Sequence, residues 1–147
     1  MIPKGRVVGV DLGSRRIGVA VTDSGQTVAT PVTTVERAGD ATGDRRALAA
    51  IVDEYGAVGV VVGVPLTLTG RSGPAADAAR EEIAALRAEL SVEVEEADER
   101  LTTVAAAAGL RAGGRPTRRH RRVIDQAAAA VMLQGWVDRR RAEAGRP

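Results

Sequence analysis

The 147-residue chain has no cysteine and no phenylalanine, and its only aromatic side chains besides His120 are Tyr55 and Trp136. Without cysteine there is no disulfide, no thiolate zinc site and no cysteine nucleophile, which suits a reducing compartment. Any metal would have to sit on oxygen ligands or on the lone His120. With so few rings, binding of nucleic acid by base stacking on an aromatic platform is not expected. Lysine is nearly absent too: Lys4 is the single one, and all other fixed positive charge is arginine. No apolar run reaches the roughly 18 residues of a membrane span, and no basic, apolar, small-residue leader precedes the first strand. The expectation is a soluble, cytoplasmic protein with no membrane contact.

A chain of this length fits one domain, residues 1–147, and can bury roughly 70% of its unfolded surface. That core must be built from Val, Leu, Ile and Ala. The formal net charge is only +2, yet the charges are unevenly placed. Residues 93–99 carry five acids, whereas residues 100–122 carry seven arginines and no acid. Arginine and alanine enrichment is also what a GC-rich genome produces, so placement is more informative than totals. An acidic strand feeding a long basic segment points to a polyanionic partner for the second part.

Residues 6–12 and 16–23 read as two strands joined by a short turn at 13–15, a β-hairpin. "TVATPVTTVER" at 27–37 reads as a third strand, and Pro31 places it at an edge or a bulge. Residues 43–55 fit a helix with Leu48, Ile51, Val52 and Tyr55 on one stripe, ended by Gly56. "VGVVVGVP" at 58–65 is nearly continuous in β-branched residues, the mark of a strand covered on both faces and set in mid-sheet. A Gly/Thr/Pro-rich loop at 65–74 leads to a helix over 75–90, a strand over 92–97, a short helix ending at Gly113 and Gly114, and a last helix over 118–141. An antiparallel start followed by alternating elements predicts an α/β fold: a mixed five-stranded sheet flanked by helices.

Asp11 ends the first strand, Asp98 and Glu99 end the last, and Asp125 lies in the final helix within "VIDQAAAAVML". If the first and last strands run parallel near the sheet centre, Asp11 and Glu99 emerge at one edge. The small side chains of Ala127–Ala130 let the final helix approach closely enough to bring Asp125 there. Converging carboxylates repel one another, and hard divalent cations are the usual remedy. Mg²⁺ takes one or two carboxylates and keeps its other positions for water and phosphate oxygens. Two such ions roughly 4 Å apart stabilise both oxygens of a phosphodiester displacement. Each acid has a plainer reading alone: Asp11 as a turn residue before Leu12-Gly13, the others as exposed strand-end or helix positions. The constellation, not any single acid, carries the metal-site reading.

Four blocks then become specific: "GVDLGSRRIGVAVTD", "VVGVPLTLTGRSG", "DERLTT" and "RRVIDQAAAAVMLQGWVD". In this order and spacing, from residue 9 to residue 138, they resemble the YqgF/RuvX family of the ribonuclease H-like superfamily. The resemblance implies a ribonuclease H-like fold and a metal-dependent nuclease related to Holliday-junction resolvases, with members assigned to maturation of the 5′ end of 16S rRNA. It implies Mg²⁺ or Mn²⁺, two ions per site, held by Asp11 of "VDLG", Glu99 of "DERLTT" and Asp125 of "IDQAA". Because side chains alternate faces, only one of Asp98 and Glu99 can reach the metals. The chain departs from the family pattern in an arginine-rich rather than lysine-rich approach to the last helix, and in "LTLTG", which lacks an acid before its glycine.

Arg115, Arg118, Arg119, Arg121 and Arg122 surround His120 directly before Asp125, as either a solvated helix start or a phosphate clamp. Each duplex phosphate neutralised adds about 0.9 to the salt slope of binding. Arg15 and Arg16 at the hairpin turn, Arg71 in the Gly/Thr loop and Arg100 in "DERLTT" extend the candidate nucleic-acid contacts. His120 amid these arginines is expected to touch phosphate rather than act as a base or ligand, and Arg139–Arg141 read as a basic helix end.

Three functions compete. The leading one is a nuclease acting on pre-16S rRNA or on branched DNA, as a monomer or as a two-fold homodimer; symmetric junction cleavage requires the dimer. An actin-like or sugar-kinase ATPase shares the Asp-x-Gly hairpin but closes two domains around ATP. A non-catalytic nucleic-acid adaptor would keep the basic surface without the chemistry.

Overall fold

The structure, a computed structural model, describes residues 1–37, 39–66, 69–71, 73–99 and 118–145. Strands β1 (Val7–Leu12), β2 (Arg16–Thr22) and β3 (Ala29–Glu36) precede helix α1 (Ala41–Tyr55). Then follow β4 (Gly59–Val64), α2 (Pro74–Glu89), β5 (Glu93–Asp98) and a 27-residue helix, α3 (Arg118–Ala144). The expected short helix ending at Gly113 and Gly114 falls outside the described residues. The other elements match expectation to within a few residues. Helix α1 starts earlier, because the Asp40 carboxylate accepts from the Thr42 backbone N–H at 3.0 Å and caps it there.

The sheet runs β3-β2-β1-β4-β5, with β1/β2 and β2/β3 antiparallel and β1/β4 and β4/β5 parallel. This corrects one expectation: β5 is an edge strand, not a central one. Strand β4, buried at every position, separates it from β1. Its continuous apolar run satisfies both faces, whereas β5 has an acid at four of its six positions and tolerates an edge. Pro31 lies on edge strand β3, opposite Ala20 and beside a register shift at Val19/Ala20. A residue without an N–H fits there, and the irregularity blunts the edge.

Alternation along the strands divides the core in two. Val8, Val10, Ile17, Val19, Val60 and Val62 face α1 and α2. Val7, Ala20 and Val61 face α3, where they meet Ala129, Ala130, Met132 and Leu133. Helix α3 lies close on the sheet: a Cβ on Gly9 of β1 would stand 2.8 Å from the Cβ of Leu133. Gln134 ties the same helix to the start of β3, accepting from the Ala29 N–H at 2.8 Å and donating to the Thr27 carbonyl at 3.1 Å. Among the described residues no helix is long and apolar enough to cross a membrane.

Leu133 is fully buried and seated over a glycine, so nothing nearby can collapse into the space it fills. Leu133→Ala is therefore expected to destabilise the fold by about 2–5 kcal/mol, read from urea unfolding.

Candidate active site

Asp11, next to last in β1, lies on the α3 side of the sheet, the side that Val7 occupies four residues earlier. Both neighbouring strands carry glycine beside it. On β2, Gly18 is its cross-strand partner. On β4, Gly63 follows Val62, the partner of Val10, and so continues the register to the level of Asp11.

Both glycines make room for an approaching acid. A Cβ on Gly18 would lie 1.9 Å from the backbone carbonyl oxygen of Asp125, and a Cβ on Gly63 would lie 2.2 Å from Glu99 Oε1. Helix α3 thus rests on β2 at Asp125, and the Glu99 side chain crosses β4. Two acids from distant parts of the chain reach the surroundings of Asp11 because no side chain stands between.

Of the two acids that close β5, the faces select Glu99. Val94, of the same parity as Asp98, packs toward α1 and α2, while Ala97 packs toward α3. One residue past β5, the Glu99 N–H donates to the Val64 carbonyl at 3.2 Å, and its side chain returns to the α3 face. Glu99 is only 7% exposed. Burial, then the hydrogen bond to Asp11 and the negative charges of Asp11 and Asp98, push its pKa up to about 9. At neutral pH Glu99 therefore keeps its proton and donates it to Asp11.

Asp125 has a different partner. Arg16, at the start of β2, donates from Nε to Asp125 Oδ2 at 2.7 Å, with both side chains half-buried. The structure thus joins Asp11 and Glu99 directly and sets Asp125 beside them with its carboxylate on Arg16. Among the described residues no three acidic or histidine side chains stand close enough together to hold one ion. The Asp11–Glu99 pair nonetheless fits a hard divalent cation: its donors are all oxygen, and it retains a proton at neutral pH that such an ion would replace.

The basic residues divide similarly. Arg15 is exposed at the hairpin tip, Arg71 is exposed in the loop after β4, and Arg119, His120 and Arg121 are exposed on the first turn of α3. Arg122, expected in the phosphate clamp, is paired with Glu36 of β3 through Nε and Nη2 at 3.0 and 2.8 Å, and its carbonyl accepts from Thr34 Oγ1 at 2.6 Å. Arg16, expected on phosphate, is engaged by Asp125. Arg100, Arg115 and the side chain of Arg118 lie outside the described residues. Sequence reasoning missed Gly18, Gly63 and the Arg16–Asp125 pair. For the two glycines a signal existed, since glycine inside an apolar strand commonly marks a close approach.

A sheet of this order, with acids gathered beside its central strand, defines the ribonuclease H-like fold class. RuvC of T. thermophilus, in complex with a Holliday junction substrate, matches it with a TM-score of 0.58 at 15% identity, over 94% of this chain and 96% of that one. The chain belongs to the RuvX family, whose model, described as a Holliday junction resolvase, matches residues 5–139. A relative from Rhodococcus opacus strain B4 is 50% identical over 141 residues, covering 93% of this chain and 79% of its own. One from Mycolicibacterium paratuberculosis is 52% identical over 141 residues, covering 95% and 83%. Both carry the provisional name pre-16S rRNA nuclease.

The two glycines should respond differently to a methyl group. Gly18→Ala meets backbone, so α3 must shift, and a loss of at least about 1–3 kcal/mol is expected on urea unfolding. Gly63→Ala meets the end of a flexible side chain, so the fold should survive while Glu99 is pushed off Asp11.

Glu99 also sets a pH dependence. Between its ordinary value of 4.5 and about 9, the unfolded chain has released a proton that the folded chain keeps. Folding stability without divalent ions should therefore fall as pH rises through that window. Glu99→Gln should flatten the profile, and Gly63→Ala should weaken it; parallel profiles for wild type and Glu99→Gln would refute the assignment.

Proposed function

We propose that this chain is a single-domain, cytoplasmic, metal-dependent nuclease that hydrolyses phosphodiester bonds of structured nucleic acid, with the 5′ end of pre-16S rRNA as its substrate in ribosome biogenesis. The observation that carries the reading is the Asp11–Glu99 carboxyl pair, lodged between glycines, with Asp125 beside it on α3. The choice of substrate is supported by the names of relatives about half identical to this chain.

In this reading Asp11, Glu99 and Asp125 hold two Mg²⁺ or Mn²⁺ ions, and Asp11 lies between the other two. Bound ions would supply Lewis-acid stabilisation of the attacking and leaving oxygens. The chain's own residues do the rest. Glu99 gives up the proton that it shares with Asp11, and the pair becomes a donor of four carboxylate oxygens. Arg119 and Arg121, exposed on the first turn of α3, lie one to two turns before Asp125 and contact the phosphates flanking the cut. Arg15 at the hairpin tip and Arg71 after β4 extend that contact on the other sides of the pair. Asp11 and Glu99 lie at the carboxyl ends of the parallel strands β1 and β5, the end of such sheets where ligand sites commonly form.

A second reading, resolution of four-way DNA junctions by a two-fold dimer, is favoured by the description of the family model. Both readings are tested by Mg²⁺-dependent cleavage, at fixed salt, of a pre-16S 5′-leader RNA and a mobile four-way junction, using wild type and Asp125→Asn. Cutting of the RNA alone, lost by at least about 100-fold in the variant, is the expected outcome. Paired symmetric nicks in the junction would favour the resolvase. Binding of both without cutting either would leave a nucleic-acid adaptor.

A further inference from the structure

In the proposed function Asp125 serves a cation site, yet its carboxylate is held at 2.7 Å by a fixed positive charge of the same chain. Arg16 and Gly18 share a face of β2, two residues apart. Gly18 fixes where the backbone of Asp125 rests, and Arg16 fixes where its carboxylate points. Arg16 opens its strand directly after the hairpin turn, where Gly13 N–H donates to the Arg16 carbonyl at 2.9 Å. Its backbone is therefore anchored while its long side chain retains a choice of partner.

We propose that Arg16 is a counter-ion latch on Asp125: its guanidinium occupies the carboxylate until a divalent ion takes its place, and the released guanidinium then binds a substrate phosphate. This rests on the nuclease reading above and adds to it a positioning residue and an order of events. The exchange is chemically matched. A guanidinium and a divalent ion compete for the same carboxylate oxygens, and a displaced arginine finds in phosphate an oxyanion that its planar fork fits equally well. With 20% and 26% of their side-chain surfaces exposed, Arg16 and Asp125 stay within reach of water and of an arriving ion, so the pair can exchange. The arrangement also neutralises the Asp125 carboxylate on the side of the sheet that carries Asp11 and Glu99 before any ion arrives.

The test is calorimetric titration of the full chain with Mn²⁺, without nucleic acid, for wild type, Arg16→Met, Arg16→Lys, Asp11→Asn and Asp125→Asn. Arg16→Met should bind Mn²⁺ roughly three- to tenfold more tightly, because no cation competes for Asp125. Arg16→Lys should return toward wild type. In cleavage assays with Mn²⁺ saturating, Arg16→Met should raise KM for the nucleic acid more than it lowers kcat, the mark of a lost phosphate contact. If Arg16→Met does not fold, Arg16→Gln, which lacks the charge but keeps a donor, carries the same expectation. Unchanged or weaker Mn²⁺ binding in the Met or Gln variant, with the Asp variants impaired, overturns the latch and leaves the nuclease reading intact. Mn²⁺ affinity indifferent to Asp11→Asn and Asp125→Asn overturns both.

Discussion

Like charges gathered at one point of a fold repel one another, and burial makes each more costly. Asp11, Glu99 and Asp125 come from the next-to-last position of β1, the residue after an edge strand and the first half of α3, and they approach one another where glycines of β2 and β4 flank Asp11. Gly18 lets a helix backbone down onto β2, and Gly63 lets a glutamate side chain cross β4. Without that pair of gaps the acids would stay separated by ordinary strand side chains. With it, the charge must be compensated in place. Glu99 does this by keeping a proton, and Asp125 by pairing with Arg16.

The rest of the structure keeps this arrangement rigid. The sheet is packed on both faces, and its two central apolar strands, β1 and β4, hold Asp11 and Gly63 in register. Helix α3 is clamped along its length: by Arg122 and Thr34 near its start, by Leu133 over Gly9 in its middle, and by Gln134 on the β3 entry. These contacts bind α3 to β3 and β1, so Asp125 cannot slide along the sheet. The same contact that secures the start of α3 engages the exposed Arg122 guanidinium with Glu36, while Arg119 and Arg121 are also exposed beside it.

Much of the scaffold was legible because its signals are local. The unbroken apolar run of β4 requires cover on both faces, Pro31 suits an edge, and Gly56 ends α1, whereas the Asp40 cap that starts α1 earlier than expected was a local signal left unread. The place of β5 was less legible. Acids fill four of its six positions, a composition that suits an edge, but the parallel relation to β1 runs through β4 and depends on strand order. The acids themselves were legible as types near the ends of elements, and face alternation set Asp98 and Glu99 on opposite sides without saying which of them meets Asp11.

By itself, the sequence determined the elements, the alternation of their faces and the residue types available for chemistry, because these follow from side-chain period and backbone preference within a few residues. It also carried the family, through four blocks that keep their order and spacing. Only the tertiary structure decided which charges meet. That Glu99 lends its proton to Asp11, that Asp125 rests over Gly18, and that Arg16 and Arg122 are held by carboxylates all depend on distances between residues dozens of positions apart. Those distances are set by strand order and by how closely a helix can approach a sheet where it has no side chains, and neither is written in any single stretch of the chain.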